Sequence, residues 1–165
     1  MLFEKLHLVL AEQARGDVGI SFPDVKNGQK NLGKVMRLHG EKESLESVIS
    51  HQAMGRMADY ADIGRIRQVP DNAAYCIVSR VQAKSSPERL RRRSIRKFGM
   101  SEEEAKLKVP DSKAKMLDLP FITLNSKSTG QKFRLYIRHE EAAGAGAGKG
   151  FSTYGLSSVS TVPWF

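Results

Sequence analysis

The sequence predicts an α+β fold, and two observations favour that class. Segments with the 3.6-residue apolar period of a helix are interspersed with short segments in which every second residue is apolar, the pattern of a strand with one buried face. The chain has 165 residues and is 40% hydrophobic, which is enough for the core of one domain or two small ones. A globular protein of mixed architecture is therefore expected.

The first half of the chain has the element order helix, strand, strand, helix, strand. The segments are a helix from Met1 to Ala14, strands Val18 to Phe22 and Val35 to His39, a helix from Glu43 to His51, and a strand from Ile63 to Val69. The pattern leaves open whether the second helix continues to Tyr60. This order is that of a ferredoxin-like (RRM-like) βαββαβ unit without its first strand.

A turn at Pro70, Asp71 and Asn72 predicts a boundary between a ferredoxin-like domain, residues 1–72, and a smaller α+β domain, residues 73–165. The second domain should begin with a strand from Tyr75 to Gln82, whose alternation places Arg80 and Gln82 on one face. Two helices follow, the second with the capping box of Ser101 and Glu104. Two strands then form a hairpin, Phe121 to Asn125 and Gln131 to His139, joined by a loop rich in hydroxyl groups.

The first helix of the second domain is rich in arginine. Ser86 is a good N-cap, Pro87 suits the first helical position, and Glu88 complements the positive end of the helix. At about 100° per residue, five cations fall within one arc of about 140°: Arg89, Arg92, Arg93, Arg96 and Lys97. Arg91 lies on the apolar side. Such a face either binds a polyanion or is only solvated, and the lack of interleaved acidic residues after Glu88 favours the polyanion.

Composition narrows the choice of partner. The net charge is +9, from 27 Lys and Arg against 18 Asp and Glu, with a pI near 9.8, which favours nucleic acid or an anionic surface. No apolar run approaches about 18 residues, so no membrane span is expected. The single cysteine, Cys76, excludes an internal disulfide and a cysteine-based zinc site. We expect a cytoplasmic protein with no cofactor and no metal.

A basic protein can cleave RNA without metal if it aligns the 2′-hydroxyl with the adjacent phosphate, moves a proton with an imidazole and stabilises the developing charge. His7, at the edge of the first helix, is a candidate imidazole, and Ser126 and Tyr154 are candidate hydroxyl groups. Taken singly, each has an ordinary alternative: a structural histidine at a helix edge, and hydroxyl side chains in loops.

Six blocks of the sequence resemble one known family. They are SRVQAKSSPERLRRRSIRKF, LPFITLNSKSTGQKFRLYIRH, FSTYGLSSVSTVPWF, LFEKLHLVL, VGISFPDV and LGKVMRLHG. Together they make the chain closely similar to the type I-F CRISPR repeat-processing endoribonucleases, the subtype I-F branch of the Cas-six family, also called Csy-four. The resemblance covers nearly all of the chain and is looser between Glu41 and Ala73.

The resemblance implies a fold and an activity. It implies a ferredoxin-like first half, and an enzyme that binds the hairpin of the CRISPR repeat, cuts precursor CRISPR RNA at the 3′ base of the stem by 2′-hydroxyl attack without metal, and keeps its product in the surveillance complex. The implied partners are that RNA and the other subunits of the complex, chiefly its backbone subunit, with no membrane.

The resemblance also implies residue roles. His7 would be the catalytic histidine, Ser126 would hold the attacking ribose, and Tyr154 would position the histidine. The remaining implied RNA contacts are Arg80 and Gln82 on base edges, Phe133 stacked under the lowest base pair, Ser128 in the hairpin loop, and the cations Arg89, Arg92, Arg93, Arg96 and Lys97 in the major groove. Lys97 stands where the resemblance leads us to expect arginine, and an ammonium lacks the planar fork of a guanidinium.

One departure concerns the start of the chain. The resemblance implies about one strand of sequence before the first helix, and Met1 falls where that helix begins. On this basis we expect the chain alone to be marginally stable, with no cooperative melt well above about 50 °C. Two other functions stay open from the sequence: an RNA-hairpin-binding subunit that caps the guide RNA without cutting it, and a basic RNA binder of ribosomal type.

Overall fold

The structure is a computed structural model. It describes residues 2–26, 28–57, 59–82, 87–111, 116–126, 130, 132–146, 148 and 150–165. Over these residues the elements are α1 Leu2–Gln13, β1 Gly19–Ser21, β2 Arg37–His39, α2 Lys42–Ile49, α3 Gln52–Gly55, β3 Ala74–Val81, α4 Pro87–Phe98, α5 Glu102–Lys108, β4 Phe121–Asn125, β5 Lys132–Ala142 and β6 Thr161–Trp164. The predicted α+β class is confirmed, and the arrangement is compatible with a ferredoxin-like fold.

The strands form two antiparallel sheets. β1 pairs with β2 through Ile20 and Leu38, and the larger sheet has the order β4-β5-β3-β6. β5 has a neighbouring strand on each side. Its Ile137 lies opposite Arg80 of β3, and its Phe133 lies opposite Leu124 of β4. The hairpin predicted from the sequence is therefore present.

The chain packs into two compact units. The first unit consists of Met1–Val81 together with Leu119–Phe165, and the second unit is Gln82–Asp118. These packed groups do not test the domain boundary at residue 72, which stays a prediction. No helix of the described ranges is both long enough and apolar enough to cross a membrane.

The core of the first unit lies against α1 and the larger sheet. The apolar side of α1 faces this core: Phe3, Leu6, Val9 and Leu10 are buried and Leu2 is partly buried. They join one hydrophobic cluster with the inward residues of the strands, among them Ile20, Val78, Leu124, Leu135 and Ile137. This packing holds α1 in place beside the larger sheet.

The strand predicted from Ile63 to Val69 is wrong. Residues 61–70 form neither helix nor strand, and Ile63, Ile66 and Val69 are 43%, 37% and 44% exposed. A strand needs a neighbour for its backbone N–H and C=O groups, and no strand among the described residues pairs with this segment. The prediction failed because alternation of apolar residues does not show whether a neighbouring strand is available for pairing. The second helix also ends at Ile49, and a separate short helix, α3, follows it.

The second unit consists chiefly of α4 and α5. α4 runs from Pro87 to Phe98, which confirms the predicted start at Pro87. The predicted N-cap, Ser86, lies outside the described residues. The capping box of Ser101 and Glu104 begins α5, with the Ser101 hydroxyl accepting from the Glu104 N–H at 3.1 Å and the Glu104 carboxylate accepting from the Ser101 N–H at 2.8 Å. Ala105 of α5 is fully buried.

Candidate active site and nucleic-acid interface

His7 is held by a hydrogen bond that determines which ring nitrogen carries the proton. Its Nδ1 lies 2.8 Å from the carbonyl oxygen of Thr153. A carbonyl oxygen only accepts, so Nδ1 must be protonated, and the lone pair of the neutral ring is then on Nε2. No other hydrogen bond reaches this ring from the part of the chain that the structure describes. Nε2 is therefore the atom of His7 that can accept a proton.

Tyr154 fixes the plane of the His7 ring. The two rings are stacked, with centroids 3.9 Å apart and planes 6° apart. Phe3 lies one helical turn before His7 and is also parallel to Tyr154, with centroids 6.3 Å apart and planes 11° apart. Residues at i and i+4 share one side of a helix, so the aromatic ring of Tyr154 packs along α1 over both. His7 and Tyr154 are thus brought together.

Arg80 joins this pair to Phe133. The central guanidinium carbon of Arg80 lies 5.7 Å from the centroid of the Tyr154 ring and 5.9 Å from that of the Phe133 ring. Arg80 is exposed, while Cys76 and Val78, on the same face of β3, are buried. A cation beside two rings at the end of a sheet can contact both a phosphate and a base edge.

Ser126 lies at the hairpin between β4 and β5. It follows Asn125, the last residue of β4, and its carbonyl accepts a hydrogen bond from the Gly130 N–H at 2.8 Å. Leu124, two residues before Ser126, pairs with Phe133 of β5. Among the predicted site residues, the ring and guanidinium contacts link Phe133, Arg80, Tyr154 and His7 in that order. Ser128 lies outside the described residues.

The basic face of α4 is exposed as the helical period predicts. The exposed cations are Arg89, Arg92, Arg93, Arg96 and Lys97, whereas Leu90, Ser94 and Ile95 are partly buried. Gln82 directly follows β3 and is also exposed. An array of this kind provides several positive charges at helical spacing for phosphate groups.

Arg91 differs from the other cations of α4. Its Nε donates to the carbonyl of Val109 at 2.8 Å, and its terminal nitrogen donates to the carboxylate of Asp111 at 2.6 Å. The Arg91 side chain is only 12% exposed. This arginine therefore ties α4 to the end of α5, and the sequence marked it only as an exception to the pattern.

The other three histidines have structural surroundings. His39 is buried and hydrogen-bonded to the Ser21 hydroxyl at 2.7 Å, and burial, aided by Arg37, lowers its pKa to about 4. Burial also lowers the pKa of His139 to about 4, and its Nε2 lies 3.4 Å from the Phe22 N–H. His51 caps α3 by accepting from the Ala53 N–H at 3.1 Å. Across the described ranges, no three His, Cys, Asp or Glu side chains are grouped to hold a metal.

Comparison with known proteins identifies the family. The model of the CRISPR-associated protein family Cas_Csy4 matches residues 1–165. The chain belongs to this family. It is 45% identical over 165 residues to a protein of Pseudomonas aeruginosa (strain UCBPP-PA14) named CRISPR-associated endonuclease Cas6/Csy4, an alignment that covers 100% of this chain and 88% of the relative. It is 39% identical over 164 residues to a protein of the same name in Escherichia coli (strain UTI89 / UPEC), covering 99% and 88%.

Membership of the Cas_Csy4 family confirms the resemblance found in the sequence. The residue roles inferred from it stay predictions, although four of the residues, His7, Tyr154, Arg80 and Phe133, lie together in the first unit. Sequence reasoning missed Thr153, because it acts through its backbone carbonyl and any residue type supplies one. Only its place beside Tyr154 in the family block STYGL could have drawn attention to it.

Proposed function

We propose that the chain is an endoribonuclease that binds the hairpin of the CRISPR repeat and cuts precursor CRISPR RNA at the 3′ base of the stem. The name endonuclease carried by two relatives supports nuclease activity, and the family supports CRISPR RNA as the substrate. The observation that carries the proposal is the His7 ring, protonated on Nδ1 by its bond to Thr153 and stacked on Tyr154, with the lone pair on Nε2.

In the proposed reaction Nε2 of His7 takes the proton of the 2′-hydroxyl at the cut. The 2′-oxygen then forms a bond to phosphorus, and the bond from phosphorus to the 5′-oxygen breaks. The 5′-oxygen leaves with a proton from the imidazolium or from water, so a proton moves in net terms from the 2′- to the 5′-oxygen. The products are a 2′,3′-cyclic phosphate and a 5′-hydroxyl, and the reaction needs no metal ion or cofactor.

The neighbouring residues align the RNA for this reaction. Ser126 holds the attacking ribose by its hydroxyl group, and Phe133 stacks under the lowest base pair of the stem. Arg80 and Gln82 read base edges near the foot of the stem, and the Arg80 charge stands near the site of attack. Alignment of this kind supplies most of the rate that metal-free RNA cleavage requires.

The basic face of α4 binds the stem itself. A-form RNA has a major groove that is too deep and narrow for side chains, but a short hairpin opens its groove at the ends. The five exposed cations would lie against phosphates along that groove. Because cutting at the base of the stem leaves the stem intact, these contacts persist after cleavage. The enzyme therefore keeps its product and stays with the other subunits of the surveillance complex.

The experiment is incubation of the protein with a 5′-labelled repeat RNA in EDTA, followed by analysis of the product end. We expect one cut at the 3′ base of the stem, leaving a 2′,3′-cyclic phosphate, and a 2′-deoxy nucleotide before the cut should abolish cleavage without abolishing binding. Tight binding of the unmodified RNA without cutting would contradict the enzyme and favour the capping subunit. Cleavage that requires added metal would contradict the mechanism.

A further inference from the structure

The turn from Ser152 to Gly155 carries both groups that contact the His7 ring. The Gly155 N–H donates to the Ser152 carbonyl at 2.8 Å, which closes the turn, and the Ser152 hydroxyl accepts from the N–H of Tyr154 at 3.3 Å. Thr153 provides the carbonyl that binds Nδ1, and Tyr154 provides the stacked ring. The position of this one turn therefore sets both the tautomer and the plane of the imidazole.

The backbone of β1 and the segment before it anchor this turn. The Ile20 N–H donates to the Gly155 carbonyl at 2.9 Å, and the Phe151 N–H donates to the Gly16 carbonyl at 2.8 Å. Ile20 is in the core and only 1% exposed, so the anchor belongs to a part of the fold that does not yield easily. The turn is thus hydrogen-bonded to β1 on one side, and on the other side its residues Thr153 and Tyr154 contact His7 of α1.

Gly155 is where the turn meets Ile20. It is buried and has a φ of +68°, a conformation that favours glycine. A Cβ at this position would lie 2.4 Å from Cγ1 and 2.6 Å from Cδ1 of Ile20, which is shorter than any van der Waals contact. Any side chain at residue 155 must therefore displace either the Ile20 side chain or the turn. Because Ile20 is packed in the core, the shift should fall on the turn, together with the Thr153 carbonyl and the Tyr154 ring.

We infer that Gly155 is a positioning residue for the proposed cleavage: its lack of a side chain seats the turn so that Thr153 and Tyr154 hold His7 with Nε2 as the proton acceptor. The inference rests on the proposed function for its effect on cleavage. Its structural part, the link from residue 155 to the tautomer of His7, stands independently of what the protein cleaves.

The test compares Gly155→Ala with a matched control, Gly28→Ala. Gly28 has a φ of +78° and no atom within 4 Å of its ideal Cβ, so the control carries the same kind of backbone strain without the collision. Two readouts are needed: the tautomer of His7 in protein with ¹⁵N-labelled histidine, from long-range ¹H–¹⁵N NMR, and the single-turnover cleavage rate beside the Kd for repeat RNA.

We expect His7 to be protonated on Nδ1 in the unmutated protein and in Gly28→Ala, and to become a mixture of tautomers in Gly155→Ala. The cleavage rate of Gly155→Ala should fall roughly 10- to 100-fold, as for a catalytic group misplaced by about 1 Å, with a far smaller change in Kd. The double variant Gly155→Ala with Ile20→Ala lacks Cγ1 and Cδ1 of residue 20, the two atoms closest to the new Cβ, and should recover part of the rate. A folded Gly155→Ala with unchanged tautomer and rate would overturn the inference, as would an equal loss in Gly28→Ala.

Two further outcomes keep the test decisive. If Gly155→Ala does not fold, the spectrum of the unmutated protein still decides, because a His7 protonated chiefly on Nε2 would overturn the inference. If the unmutated protein shows the expected tautomer, and Gly155→Ala changes it, but neither cuts RNA, the positioning role stands and the proposed function fails.

Discussion

Replacement of Arg92 by glutamine should weaken the salt dependence of RNA binding, whereas the same change at its neighbour Arg91 should not. Arg92 is exposed on the basic face of α4, while the Arg91 guanidinium is bonded to the Val109 carbonyl and to Asp111. The two positions differ by one residue on one helix and carry the same charge. Comparing the two variants therefore distinguishes the effect of a lost phosphate contact from the effect of a lower net charge, which is the same in both.

The magnitude follows from the number of phosphate contacts. Five exposed cations line this face of α4. If each one neutralises a phosphate, the plot of log K against log salt should have a slope of roughly −3 to −5, and loss of one contact should reduce its magnitude by about 0.7–0.9. Arg91→Gln should keep the full slope and lower stability by about 1–2 kcal/mol, since it removes a charged hydrogen bond within the second unit.

The assay is fluorescence anisotropy of a labelled repeat hairpin titrated at several potassium chloride concentrations, with urea unfolding of each variant. A slope near zero for the unmutated protein would refute the placement of α4 in the groove. Equal reductions of the slope in Arg91→Gln and Arg92→Gln would refute the distinction between the two arginines.

Two further predictions concern stability and the stacked base pair. In the folded protein the pKa of His39 is about 4, whereas an unfolded histidine takes up a proton below about pH 6.5. The contribution of His39 to the free energy of unfolding is therefore complete above pH 6.5. It is lost as the pH falls from 6.5 to 4, by about 3 kcal/mol. His39→Gln should have a flatter dependence of unfolding free energy on pH, and identical dependences would contradict this. Phe133→Leu should weaken RNA binding by about 1–3 kcal/mol if the ring stacks on the stem. Phe121→Leu, on the other face of the hairpin, is its control, and an equal loss there would count against stacking.

The helices and the hairpin could be predicted because their signals are local. The Pro87 start of α4, its exposed cationic arc and the capping box at Ser101 depend on residues within one or two turns. The prediction at Ile63–Val69 failed because pairing depends on a neighbouring strand, which alternation cannot reveal.

The candidate site could be predicted only in part. The pairing of His7 with Tyr154 was predicted only through the family resemblance, since the two residues are 147 positions apart and no periodicity relates them. The Thr153 carbonyl and the role of Arg91 could not be found, because one is a backbone group and the other depends on Val109 and Asp111 in a different element. Contacts of this kind follow from tertiary packing.

The most direct test of the central claim is the single-turnover cleavage rate of His7→Ala at saturating protein in EDTA, with the Kd for repeat RNA measured in parallel. If Nε2 of His7 moves the proton, the rate should fall by roughly 100- to 10,000-fold while the Kd stays nearly constant. Cleavage by His7→Ala at the rate of the unmutated protein would contradict the account.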